Sequence, residues 1–168
     1  AMAAPEEAAA LVIEVAATAD LVATDSRDPG SVLPTQAFDT WLLLPPSEQH
    51  AALLSAWFAM PRSVADADQR PLSPELGAPA LPELRGAVLR VLASADGGWQ
   101  DDEVVAAIDW WAPRRHDATR EARVRAILDQ CRGLGLVVDG TLTSAGRAVL
   151  AGNDSVATAL AASLPDQV

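Results

Sequence analysis

The sequence predicts a mainly α-helical fold of short helices punctuated by two β-hairpins. Three observations lead there. Apolar residues recur at i, i+3 and i+4 through most of the chain. Prolines, paired glycines and capping residues cut that pattern into short pieces. Asp139-Gly140 sits between Leu136–Val138 and Thr141–Thr143, the strongest short hairpin signal.

Residues 6–19 read as a helix, because Ala and Glu favour one and Leu11, Val12 and Val15 share a face. Two β-prone runs, Leu21–Thr24 and Ser31–Leu33, flank a turn of Asp25, Asp28, Pro29 and Gly30. Thr35 can cap a helix through Leu43, which Pro45-Pro46 stops. Ser47 can cap the next, over 48–60, with Leu53, Leu54, Trp57 and Phe58 as its stripe. Residues 63–82, rich in Pro, Ala and Asp, are expected as a linker or mobile loop.

A helix over 83–95 carries Leu84, Ala87, Val88, Val91 and Leu92 on one face and ends at Gly97-Gly98. Trp99 suits a very short strand. Asp101 can cap a helix over 102–111 with Val104, Val105, Ile108 and Trp111 inward. Asp117 can cap a helix over 118–132 with Val124, Ile127, Leu128 and Cys131 inward. The Asp-Gly hairpin and helices over 144–151 and 154–163 complete the chain. Trp110, beside Trp111, must face elsewhere and is expected to pack against another element.

Helix, short strand, helix, helix, hairpin is the order of a winged helix, a helix-turn-helix with a β wing. The competing reading is a helical bundle with one chance hairpin. The first half also echoes the second. ADLVATDSRDPGSVLPTQA parallels GLGLVVDGTLTSA, helix to hairpin to helix. The plain alternative is two hairpins of similar composition. The expected organisation is a truncated winged-helix-like unit with a helical hairpin (6–62), the linker (63–82), a winged helix (83–152) and a C-terminal helix and tail (153–168). Ala1 before Met2 reads as a tag remnant, and the chain as a piece of a longer protein.

The 168 residues hold 23 acids and 12 basic residues, every one of the latter Arg, for a net charge of −11. Such a balance opposes nucleic acid and anionic membranes unless a local basic patch intervenes. The single cysteine, Cys131, excludes an internal disulfide and suggests a reducing, cytoplasmic setting. No apolar run approaches the ~18 residues of a membrane span, so no membrane partner is expected.

Catalytic signatures are missing. Without lysine there is no phosphate-binding GxxxxGK[ST] loop. No CxxC or HExxH is present, so no metal site, cofactor or catalytic residue is assigned. His50 reads as a surface residue, His116 as a loop residue and Cys131 as a buried thiol. Asp101, Asp102 and Glu103 read as acids that complement a helix dipole rather than as a carboxylate pair.

One positive feature stands out. Residues 112–132 carry a net +3 against −14 for the rest. This island coincides with the third helix of the expected winged helix, the one that enters a major groove. Arg114 and Arg115, just before the helix, can reach phosphates; Arg123, Thr119 and Gln130 lie on the arc opposite the core, where Arg123 or Gln130 can reach base edges, and Arg120 joins them as an expected DNA contact. Against this, Glu121 and Arg125 are four apart and can pair, with Asp129 joining them. The hairpin tip also presents Asp139 where a DNA-binding wing wants a cation.

Several stretches resemble a family of actinobacterial XPB-helicase N-terminal-like, or helicase-associated, proteins. They are LPTQAFDTWLLLPPSEQHAALLSAWFAMPR (33–62), LSPEL with PALPELRGAVLRVL (72–92), DWWAPRR (109–115), GTLTSAGRAVLAG (140–152) and ALAASLP (159–165). The resemblance implies a helical accessory region of a larger DNA-processing protein, not a motor. Arg115 falls where the family tends to be basic. Two functions therefore compete. One is a non-catalytic accessory module that binds double-stranded DNA weakly and salt-sensitively. The other is a scaffolding module that docks the remainder of its parent chain or another protein.

Overall fold

The computed structural model describes residues 5–28, 30–64, 70–95, 97–111, 118–152 and 155–163. The fold is mainly α, with two two-stranded antiparallel sheets among the described residues. Helix α1 (Pro5–Thr18) leads into β1 (Val22–Thr24) and β2 (Val32–Pro34), paired Val22 to Pro34, Ala23 to Leu33 and Thr24 to Val32. Helices α2 (Gln36–Leu42) and α3 (Pro46–Ala59) follow. Two expected caps are corrected. Thr35 stands at the start of α2, but its hydroxyl donates to the Asp20 carbonyl instead of accepting from the helix. Helix α3 begins at Pro46, before Ser47, because proline's fixed φ and missing N–H suit a first helical position.

The stretch expected as a linker is packed at both described ends. Ser63 donates its N–H to Leu76 and Ala78 donates to Pro61, both at 2.8 Å. Val64, Leu76 and Ala78 are buried. Arg62 pairs with the fully buried Glu14 of α1, which also accepts from the Leu72 N–H. A 3-10 turn (Pro74–Leu76) then delivers the chain to α4 (Leu81–Ala93), two residues earlier than the sequence predicts, with Pro82 in its first turn.

Beyond α4 come α5 (Asp101–Trp111), α6 (Ala118–Gly133), β3 (Val137–Val138), β4 (Thr141–Leu142), α7 (Ser144–Ala151) and α8 (Ser155–Ala161). Thr143 caps α7 as a side-chain acceptor for the Gly146 N–H at 3.1 Å. The β3–β4 tip tucks against the segment before α5, where the Trp99 N–H donates to the Gly140 carbonyl at 3.0 Å. Only glycine permits that approach: a Cβ on Gly98 would strike Asp139 backbone, and one on Gly140 would strike Trp99 backbone.

One apolar core joins the two halves. It runs from Val15 through Trp57, Leu89 and Ile127 to Leu160. Helix α3 packs on α1, α4, α7 and α8, while α4 packs on α5, α6, α7 and β4. Burial of a side chain such as Leu54, Leu89 or Ile108 contributes roughly 1.5–3 kcal/mol.

The sequence echo has a backbone counterpart. Both α1 and α6 end in a Schellman turn. Asp20 and Gly135 take the left-handed position, at φ +59 and +72. Leu21 donates to Ala16, and Leu136 to Cys131, each at 2.8 Å. After each hairpin a threonine closes the unit. Thr35 donates its N–H to Leu21 at 2.9 Å, as Thr143 does to Leu136 at 3.0 Å. The Thr35 hydroxyl donates to the Asp20 carbonyl, and the Thr143 hydroxyl to that of Gly135.

Candidate interaction surface

Helix α6 carries the basic island, so the placement of its cations decides what it can bind. Arg125 donates to Glu121 one turn earlier, at 2.9 Å and 3.1 Å, and crosses to Asp102 of α5 at 2.7 Å. Arg132 donates to Asp129 at 2.9 Å and crosses to Asp101. The neighbouring Asp102 and Glu121 raise the Arg125 pKa, and Asp101 does the same for Arg132. Asp129 thus pairs with Arg132 rather than joining Glu121 and Arg125. The acids at the start of α5 do more than complement a dipole: they pair with Arg125 and Arg132, two of the four arginines of α6. Residue spacing within one helix shows only the partners on that helix.

Gln130 departs from the expected outward arc. Its Oε1 accepts the Trp57 indole N–H at 2.8 Å. A side chain reaching across from α3 covers this end of the arc, so Gln130 supports the fold. Thr119 is exposed, as the helical arc predicts. Arg120 is half-buried and donates to the Ile108 carbonyl of α5 at 3.3 Å. Arg123 is half-buried and has no ion-pair partner among the described residues. Arg114, Arg115 and His116 lie outside the described residues.

Arg120 and Arg123 line a groove of about 610 Å³ whose walls include Leu84 and Ala87 of α4 and Ile108 and Trp111 of α5. Among the described residues Glu83 is the one acid on its lining. Trp111 is 57% exposed and Trp110 82% exposed, so neither packs as the sequence predicts. The buried face of α5 is Val104 and Ile108; the tryptophans sit in the last turn, past that face. Adjacent helical residues point about 100° apart, so they cannot both turn toward one core.

Sequence reasoning missed Arg85. It lies on the core side of α4, four residues after Leu81 and three before Val88, and is fully buried. Its guanidinium lies 5.2 Å from the Trp57 ring centre and donates to the Met60 and Arg62 carbonyls. Burial pulls its pKa down to about 10, which leaves it cationic at neutral pH. The signal was there: position 85 falls on the apolar side of α4. The adjacent Cys131 is buried, and burial pushes its thiol up to about 12, which removes the thiolate that reactivity requires.

Among the described residues no group of three His, Cys, Asp or Glu side chains could hold a metal ion. No described helix is long and apolar enough to cross a membrane. Comparison with family models, curated proteins and solved structures gave no match.

Proposed function

We propose that this chain is a non-catalytic winged-helix accessory module that docks a protein segment in the groove between α4, α5 and α6. The winged-helix reading is supported by the order α4, Trp99 segment, α5, α6, β3–β4 and by the Trp99–Gly140 hydrogen bond, which ties that segment to the hairpin without making it the short strand the sequence predicts. The resemblance to helicase-associated proteins supports a place within a larger DNA-processing protein.

The observation that carries protein over DNA is the pairing of Arg125 and Arg132 with Asp102 and Asp101. Phosphate binding needs cations that are free to replace counterions. Here two of the helix's arginines face carboxylates on a chain of net charge −11. Arg123 is left beside Trp111 and the apolar wall of the groove. That combination suits a segment with one apolar anchor and a neighbouring carboxylate.

The test is fluorescence anisotropy with two labelled peptides, one interleaving Leu and Phe with Asp and Glu, the other with Lys in place of the acids. The acidic peptide is expected to bind, and Arg123→Glu or Trp111→Ala to abolish binding. Duplex DNA binding that Arg123→Ala removes, with no binding of the acidic peptide, would overturn the reading in favour of DNA.

A further inference from the structure

The two structural repeats differ in what covers them. Aligned on Leu21 and Leu136, Val12 of α1 takes the place of Ile127 of α6. Ile127 is 1% exposed in the core; Val12 is 67% exposed. The helices that follow the hairpins differ in the same way. Helix α7 buries Ala145, Gly146, Ala148 and Val149 and packs on α4. Its counterpart α2 buries no residue at all. Leu42 and Leu43, at the end of α2, are exposed, as are Val32 and Leu33 of β2. In the second repeat the cover is supplied by α4 and α5, which both pack on α6. Helix α3 packs on the Val15 side of α1, and no described element covers the Val12 side.

Charge indicates the chemistry of the absent cover. From residue 8 to residue 59 the exposed or half-exposed acids are Asp20, Asp25, Asp28, Asp39 and Glu48, against Arg27 and the half-buried His50, with Arg70 of the later segment standing near Asp28. In the second repeat the signs are opposite: arginines on α6 meet acids on α5. At the positions of Arg125 and Arg132, α1 has Ala10 and Ala17. A second copy's α5 would bring Asp101, Asp102 and Glu103 toward an acidic rim and repel it.

We propose that α1, β1, β2 and α2 form an open half-unit that docks apolar-faced helices with an Arg- or Lys-rich rim, supplied by another polypeptide segment. They would lie where α4 and α5 lie on the second repeat. The surface is distinct from the groove, and the proposal does not depend on the groove's function.

The test uses the whole chain and three labelled model peptides: an amphipathic helix of Leu and Lys, one of Leu and Glu, and one of Ser and Lys with no apolar face. The Leu/Lys helix is expected to bind, and Val12→Asp with Leu43→Asp to weaken it about tenfold or more. Both substitutions are at exposed positions, so circular dichroism should show the fold intact. Arg123→Glu, in the groove, should leave this binding unchanged. Equal binding of the Ser/Lys or Leu/Glu peptide would overturn the proposal, as would Leu/Lys binding insensitive to the Val12 and Leu43 changes. A concentration-dependent dimer lost on Val12→Asp would replace it with self-association.

Discussion

The indole N–H of Trp57 donates to Oε1 of Gln130 at 2.8 Å, tying α3 to α6. The Trp57 side chain is buried, so it depends on this one acceptor. Gln130→Ala should therefore cost about 1–3 kcal/mol in urea unfolding, the penalty for a buried donor left without a partner. Trp57→Phe with Gln130→Leu, which removes both halves, should cost less than the sum of the single changes. Neither should be explained by lost binding, because Gln130 does not face outward.

Arg85 supplies a second prediction. Its charge is buried over Trp57 and meets carbonyl oxygens. Arg85→Met keeps most of the volume and removes the desolvated charge, so stability should stay within about 1 kcal/mol of the parent. Arg85→Ala empties the site and should cost about 2–4 kcal/mol. Equal losses for the two would mean that the guanidinium interactions, not its volume, hold α3 to α4.

Cys131 makes stability fall in alkali. Its thiol titrates at about 12 in the fold against an ordinary 9.0, so the folded chain keeps a proton that the unfolded chain releases. This contribution is full below pH 9 and is lost as pH rises toward 12. Arg85, depressed to about 10, acts with the opposite sign from about pH 10 upward. The clean window is thus pH 8 to 10. There Cys131→Ala should flatten the decline in unfolding free energy, whatever its absolute effect. Native-state labelling by a thiol reagent at pH 8 should be slow and limited by opening of the fold.

Two glycines with the same backbone angle should respond differently. Gly135 and Gly140 both sit at φ +72. A Cβ on Gly135 meets nothing, whereas one on Gly140 meets the Trp99 backbone. Gly135→Ala should cost about 1 kcal/mol from backbone strain alone. Gly140→Ala should cost more and detach the hairpin from Trp99, seen as a shifted tryptophan emission.

The ion pairs of α6 lie at the surface and hold little energy. Arg125→Ala should leave stability nearly unchanged, and salt should shrink any difference.

Local rules made much of the fold legible. The Asp139-Gly140 turn specified its hairpin, and the stripe of Val124, Ile127, Leu128 and Cys131 turned inward as its spacing required. The site was less legible, because its chemistry lies between elements. Nothing within α6 reveals that Asp101 and Asp102 face Arg132 and Arg125, or that Trp57 covers Gln130. These pairings depend on how helices distant in sequence pack. The exposed Trp110 and Trp111 escaped for a related reason: helical period gives a residue's direction but not whether another element stands there.

The most direct test of the central claim, that the pairing of Arg125 and Arg132 leaves α6 unsuited to nucleic acid and the groove beside it docks protein, is anisotropy of labelled duplex DNA at 50 mM and 200 mM salt. The account predicts no binding at 50 mM up to about 100 μM protein, the weak end of non-specific DNA affinity. Binding at 50 mM that fades at 200 mM and is lost in Arg120→Ala with Arg123→Ala would contradict it and make α6 a DNA-contacting helix.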